Sequence, residues 1–153
     1  MSMRYSTRIT TRSLIQVRIE FAAITAFMKL YSIIESSSHP RFSALYQRLG
    51  YDELVFTSMR KAIQQLKTVT PDVVIADFLY GYGNNYAGVN ISNLDVFLYS
   101  LEKYAPQASM FALYEKSEQV YIKQFEELFP DVQCLQLPVS EARLEALLRS
   151  RQS

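Results

Sequence analysis

Short apolar runs alternate with amphipathic stretches along most of the chain. Five runs rich in aliphatic, aromatic or β-branched residues predict strands, because such runs are typical of buried strands. These runs cover residues 30–34, 54–56, 73–76, 110–113 and 132–137. The run 73–76 (Val-Val-Ile-Ala) is apolar at every position, which is typical of a central parallel strand that is buried on both faces.

Between the predicted strands, apolar residues recur at spacings of three and four, which predicts amphipathic helices. The predicted helices cover residues 42–49, 59–66, 94–101, 120–128 and 140–148. Gly50 is expected to end the first helix, because glycine is favoured just past a helix terminus. Ser92 or Asn93 is expected to cap the third helix, and Pro130 closes the fourth.

Five successive strand–helix units predict an α/β fold with a doubly wound parallel sheet, since strands separated by helices join through right-handed crossovers. We expect the flavodoxin-like strand order 2-1-3-4-5. In that order a ligand crevice lies at the carboxyl ends of strands one and three. Glu35 follows the first predicted strand and Asp77 follows the third, so both acids are expected at this crevice.

Composition narrows the range of partners and compartments. The chain has 153 residues, which fits one domain, and its formal net charge is +1. Such a balance gives no general reason to expect binding to nucleic acid or to a membrane. Cys134 and His39 are the only cysteine and the only histidine, which rules out an internal disulfide, argues against a zinc site and favours a cytoplasmic protein. No run reaches the roughly 20 apolar residues that a spanning helix needs.

Residues 1–27 differ from the rest of the chain, because they are rich in arginine, serine and threonine and contain a single acid, Glu20. A partner-binding basic tail, a targeting segment and a loosely attached extension each fit this composition. We favour the extension, since Met28 directly precedes the first predicted strand. We therefore expect a basic, disordered extension at 1–27 and a domain at 28–150, with no output domain after it.

Two motifs resemble those of response-regulator receiver domains. Residues 71–77 read Pro-Asp-Val-Val-Ile-Ala-Asp, similar to the receiver segment in which Pro-Asp leads a buried strand that ends in the phosphorylated aspartate. Residues 137–141 read Leu-Pro-Val-Ser-Glu, similar to the Lys-Pro-hydrophobic-Ser turn before the last receiver helix. The resemblance covers residues 28–148 and implies a CheY-like receiver fold with a role in phosphorelay signalling.

The resemblance implies a role for each crevice position. Asp77 matches the phosphoacceptor, and Glu35 with Asp77 matches part of a Mg²⁺ site, but Ser36 stands where the second metal-binding acid is expected. Tyr114 and Leu137 replace the switch hydroxyl and the lysine. Losing one preorganised charge stabiliser can raise a reaction barrier by about 2.7 to 4 kcal/mol, so two losses predict inefficient phosphorylation.

Two regions are expected to contact partners. The loop 79–90 is long and rich in Gly, Asn and Tyr, and long loops in compact domains are often functional or disordered. We expect Tyr82 and Tyr86 in this loop to be contact residues. On the fourth predicted helix, Tyr121 and Gln124 are candidates because the resemblance places output contacts near that helix.

The leading hypothesis is a stand-alone pseudo-receiver that signals through protein contacts, without catalytic residues or a resident cofactor. Its partner would be a histidine kinase or another signalling protein, and a homodimer is a further option. The first alternative is a working single-domain response regulator that is phosphorylated on Asp77 and binds Mg²⁺. The second is a small ligand-binding or enzymatic flavodoxin-like protein.

Overall fold

A computed structural model describes residues 28–81 and 91–152 of the chain. The extension expected at residues 1–27 lies outside the described residues, as does most of the long loop. Within the two described ranges, no helix is both long enough and apolar enough to cross a membrane.

Five strands and five α-helices alternate along the described chain. The strands are β1 (Met28–Ile33), β2 (Tyr51–Phe56), β3 (Val73–Asp77), β4 (Ser109–Tyr114) and β5 (Gln133–Gln136). The helices are α1 (Ser43–Arg48), α2 (Met59–Gln65), α3 (Asp95–Tyr104), α4 (Gln119–Leu128) and α5 (Glu141–Gln152). A short 3-10 turn at Lys116–Glu118 leads into α4.

The strands form one parallel sheet in the order β2-β1-β3-β4-β5. The register pairs Ile33 of β1 with Ala76 of β3 and Asp77 of β3 with Leu113 of β4. The predicted doubly wound, flavodoxin-like fold is therefore confirmed. Because all strands point the same way, the segments that leave β1, β3 and β4 meet at one edge of the sheet.

Two hydrophobic clusters cover the two faces of the sheet. One cluster joins alternate β3 residues, Val74 and Ala76, to the inner sides of α2, α3 and α4. The other joins Val73 and Ile75 to α1 and α5. All five β3 residues are buried, as its continuous apolar run predicted. Full burial of one such aliphatic side chain contributes about 1.5 to 3 kcal/mol, so β3 anchors both layers of the core.

The observed strands are shifted relative to the sequence-based bounds at their amino ends. β1 begins at Met28 and β2 begins at Tyr51, where polar residues such as Lys29 and Asp52 interrupt the apolar pattern. These two residues belong to paired strands and are bonded to each other across the sheet through Lys29 Nζ and Asp52 Oδ2, 2.6 Å apart. Strand pairing therefore extends beyond the part of each strand that hydrophobic periodicity detects.

The predicted caps of α3, Ser92 and Asn93, lie before the N-cap of this helix, which is Leu94 and makes no side-chain capping bond. Ser92 Oγ accepts a hydrogen bond from the backbone N–H of Leu94 at 3.1 Å. The Asp95 carboxylate in turn accepts from the backbone N–H groups of Ile91 and Ser92. These bonds hold together the segment that leads into α3, and they leave the Asn93 side chain available for other contacts.

Gly50 ends the α1 region with a φ of +88°, a left-handed conformation in which a side chain is strained. No atom lies within 4 Å of the position that a Cβ would occupy, so backbone conformation alone sets the cost. We expect Gly50→Ala to lower the free energy of unfolding by about 1 kcal/mol and Gly50→Asn by less, because asparagine tolerates this region. Urea denaturation of both variants measures the difference, and an unchanged Gly50→Ala stability would contradict the assigned conformation.

Candidate functional site

The carboxyl edge of the sheet brings together the two acids that the sequence placed there. Asp77 is the last residue of β3, and Glu35 lies two residues past the end of the adjacent strand β1. The Asp77 carboxylate reaches across to the backbone that carries Glu35 and Ser36. The predicted proximity of the Glu35 and Asp77 positions therefore arises directly from the pairing of β1 with β3.

The Asp77 carboxylate is buried and occupied on both oxygens. Its Oδ2 accepts hydrogen bonds from the backbone N–H groups of Glu35 at 2.8 Å and Ser36 at 2.9 Å. Its Oδ1 lies 2.9 Å from Nδ1 of His39. Asp77 is 1% exposed. A carboxylate without solvent needs such partners, because an unpaired buried charge is strongly destabilising.

A tight turn brings His39 back over Asp77. The backbone N–H of His39 donates to the carbonyl of Ser36, and the N–H of Ser38 donates to the Ser36 hydroxyl. The turn places the imidazole in a buried position, 4% exposed, beside the carboxylate. An ionised carboxylate only accepts hydrogen bonds, so with Asp77 in that form the proton of this contact lies on Nδ1.

Asn93 connects the two acids and the start of the loop after β3. Its Nδ2 donates to Glu35 Oε1 and to the backbone carbonyl of Asp77, both at 2.7 Å. Its Oδ1 accepts from the backbone N–H of Leu79 at 2.8 Å. The side chain is buried, and the amide uses both kinds of atom in these bonds. Asn93 therefore links the ends of β1 and β3 to the beginning of α3.

Glu35 is the acid whose ionisation is disfavoured. Burial raises the pKa of Glu35, the hydrogen bond from Asn93 lowers it, and the nearby Asp77 charge raises it further. The net effect is a pKa above the usual value for glutamate. Charged Glu35 is therefore maintained at a cost at neutral pH, unlike a carboxylate that is stabilised by a cation.

Tyr114 and Leu137, the two predicted switch positions, adjoin each other at the same edge. The backbone N–H of Leu137 donates to the Tyr114 carbonyl at 2.8 Å. Leu137 is buried in the cluster that packs under α1 and α5. Tyr114 is half-buried against the opposite cluster, and burial raises its pKa. An apolar side chain thus occupies the position that the receiver motif gives to a lysine, and the Leu137–Pro138 peptide bond is cis.

Hydrogen bonds and one aromatic stack join the two ends of the long loop to each other and to α4. The backbone N–H of Gly81 donates to the Ile91 carbonyl, and the N–H of Asn93 donates to the Leu79 carbonyl. The Tyr80 N–H donates to Glu118 Oε2 at 2.8 Å, and the Tyr80 ring stacks on Tyr121 with centroids 3.5 Å apart. The stack ties the loop to the first turns of α4.

Two of the four predicted contact residues, Tyr121 and Gln124, lie in the described part of the chain. Tyr121 is half-buried by its stack on Tyr80, whereas Gln124 is exposed on α4. Tyr82 and Tyr86 lie outside the described residues, so their expected role in partner contacts stays a prediction.

The acidic pair does not provide a ligand set that fits Mg²⁺. This cation requires near-octahedral oxygen coordination, whereas both Asp77 oxygens and one Glu35 oxygen already accept hydrogen bonds from the protein. Across residues 28–81 and 91–152, no three His, Cys, Asp or Glu side chains are grouped so that they could hold a metal ion. We therefore assign no step at this site to a metal.

Sequence reasoning missed His39 and Asn93 as parts of the site. His39 was set aside because a lone histidine cannot make a zinc site, yet it lies only four residues past Glu35. In a parallel sheet, the segments that follow adjacent strands meet at the carboxyl edge. This rule places Glu35 beside Asp77, and it applies equally to His39, which belongs to the same segment after β1. Asn93 was considered only as a helix cap.

Because the pKa of Glu35 is raised, we expect that replacing Glu35 by a neutral residue increases the stability of the protein, and that the increase depends on pH. In Glu35→Gln the amide keeps a carbonyl oxygen for Asn93 but carries no charge, so we expect the variant to be more stable than the parent by up to about 1 kcal/mol at neutral pH, since Glu35 is only half-buried. A raised folded-state pKa means that the parent loses stability as pH rises through that pKa. The difference in Tm should therefore be small at about pH 4 and larger at about pH 7. A pH-independent difference, or a less stable variant, would contradict this account.

The comparisons agree with this architecture. No family model and no curated protein matches the chain. A response regulator receiver domain protein from Clostridium thermocellum matches with a TM-score of 0.60 and 17% identity, over 81% of this chain and 93% of that chain. A response regulator receiver protein from Sinorhizobium medicae WSM419 matches with a TM-score of 0.58 and 19% identity, over 82% and 97%. An uncharacterized protein from Neptuniibacter caesariensis matches with a TM-score of 0.63 and 16% identity, over 82% and 87%. The chain has the fold of a response-regulator receiver domain.

Proposed function

We propose that this chain is a receiver-like signalling module that acts through protein contacts, and that Asp77 is a structural residue rather than an efficient phosphoacceptor. The receiver fold supports the signalling class. The observation that carries the proposal is the Asp77 carboxylate, which is 1% exposed and bonded on both oxygens to groups of the loop after β1.

A carboxylate nucleophile must present an oxygen lone pair to the incoming phosphorus. Of the roughly four lone-pair positions of the Asp77 carboxylate, three are directed to two backbone N–H groups and to His39, and the side chain is buried from solvent. Hydrogen bonds to a charged group each contribute about 1.5 to 3 kcal/mol, so freeing one oxygen for attack adds to the reaction barrier. Efficient phosphorylation would thus require the loop after β1 to move first.

The position that the receiver motif gives to a lysine offers no charge stabilisation for a phosphoryl group. Leu137 is buried and apolar, so it supplies no positive charge. Lys116 is exposed in the turn before α4. Preorganised charges are the main contribution that proteins make to phosphoryl transfer. These features favour a module that does not depend on phosphate.

Exposed apolar side chains support a role in protein contacts. Six large hydrophobic residues of the described chain are exposed, and five of them lie on α3, on α4 or in the loop between β3 and α3; these five are Tyr80, Val96, Tyr99, Val120 and Leu128. Val120, Gln124 and Leu128 are spaced four apart and share one face of α4. Exposed hydrophobic surface often marks interaction sites, so this side of the domain is the region where we expect a signalling partner to bind.

The remaining reactive side chain gives no reason to propose catalysis. Burial raises the pKa of Cys134, the only cysteine, to about 12, with a further contribution from Glu126. A thiol with such a pKa is protonated at neutral pH and is a poor nucleophile. We accordingly propose a non-enzymatic module without a resident cofactor.

Phosphorylation is tested by intact-mass analysis of the purified chain after incubation with Mg²⁺ and acetyl phosphate. We expect no phosphoryl adduct on the parent protein, because the Asp77 carboxylate is buried and both of its oxygens are engaged in hydrogen bonds. Asp77→Asn is the matched control, since it keeps the size of the side chain and removes the nucleophile.

An adduct present in the parent and absent in Asp77→Asn would overturn the proposal and make the chain a working response regulator. An adduct on both proteins would identify a different modified residue and would leave Asp77 structural.

A further inference from the structure

The turn Ser36–His39 has one side in the core and one side in solvent. Ser37 and Ser38 at its tip are exposed, whereas His39 at its end is buried against Asp77. Apart from the backbone N–H of Ser36, the turn reaches the Asp77 carboxylate through the imidazole of His39. A short polar turn of this kind can move without disturbing the hydrophobic clusters, because none of its residues belongs to either cluster.

We propose that this turn is an autoinhibitory plug, in which His39 closes the Asp77 carboxylate to solvent and displacement of His39 exposes it. The inference rests on the proposed function in that it explains how Asp77 is kept unavailable. When the turn is closed, both Asp77 oxygens are hydrogen-bonded within the fold. When the turn is open, Oδ1 of Asp77 is exposed to solvent at the carboxyl edge of the sheet.

The contacts distinguish a plug from a general core contact. Asp77 has a second set of partners, the backbone N–H groups of Glu35 and Ser36, which hold Oδ2 independently of the imidazole. Losing the imidazole therefore frees Oδ1 and leaves Oδ2 bonded. Opening should be confined to the turn, because β3 remains anchored in both clusters through its other residues.

Carboxylate accessibility is measured by carbodiimide coupling to a small amine, followed by peptide mass spectrometry. We expect Asp77 to be protected in the parent and labelled about tenfold faster in His39→Ala, because one charged hydrogen bond and its covering ring are removed. His39→Asn is the matched variant. Its amide nitrogen is as many bonds from Cβ as Nδ1 of histidine, so it can restore the donor and protection.

Asp95 supplies an internal control in the same sample. It is also 1% exposed, and its carboxylate is bonded to Ile91 and Ser92 rather than to the turn. Labelling of Asp77 alone supports a local plug. Equal labelling of Asp95 would overturn the proposal, because the opening would then be global, and continued protection of Asp77 in a folded His39→Ala would overturn it as well.

A second measurement uses the parent protein and does not depend on how a variant folds. In native-state hydrogen exchange, the amide of His39, which donates to the Ser36 carbonyl within the turn, should open at a lower free energy than the amide of Ile75 in β3, because the turn opens locally. Exchange of both amides only through global unfolding would contradict a movable plug. Phosphorylation of the parent by acetyl phosphate would instead contradict the proposed function and would leave the labelling result unaffected.

Discussion

Burial of one carboxylate sets the arrangement of the carboxyl edge of this domain. Asp77 ends a strand that is covered on both sides, so its charge must be met by protein groups rather than by water. The backbone N–H groups of Glu35 and Ser36 meet it from one direction and His39 meets it from another. These demands fix the path of the chain after β1, and Asn93 extends the same set of bonds to the loop and to α3.

The apolar substitutions at this edge follow from the same constraint. A receiver that transfers phosphate needs charges that face the reacting group. Here Leu137 is packed into the core under α5, and burial raises the pKa of Tyr114 above its ordinary value, so neither residue supplies a charge. The polar side chains at the carboxyl edge therefore form hydrogen bonds that hold the loops in place. Among the described residues, five of the six exposed large hydrophobic side chains lie instead on α3, on α4 and in the adjacent loop.

Hydrophobic periodicity predicted the sheet order and the meeting of Glu35 with Asp77, because both follow from parallel strands with helical crossovers. It did not predict the role of His39, since the direction of a turn depends on local hydrogen bonds such as the one from His39 N–H to the Ser36 carbonyl. Asn93 was equally hidden, because it is 16 residues from Asp77 along the sequence and reaches it only through the fold. The starts of β1 and β2 were missed because Lys29 and Asp52 interrupt the apolar pattern there, although the two strands stay paired through these residues.

We infer that His39 and Asp77 are an energetically coupled pair that organises this edge, and a double-mutant cycle tests the coupling most directly. Unfolding free energies of the parent, His39→Ala, Asp77→Asn and the double variant give the coupling between the two side chains. The geometry predicts a coupling of about 1.5 to 3 kcal/mol, as expected for a buried hydrogen bond to a charged group. Additive effects, with a coupling near zero, would contradict the account and would make the contact incidental to the fold.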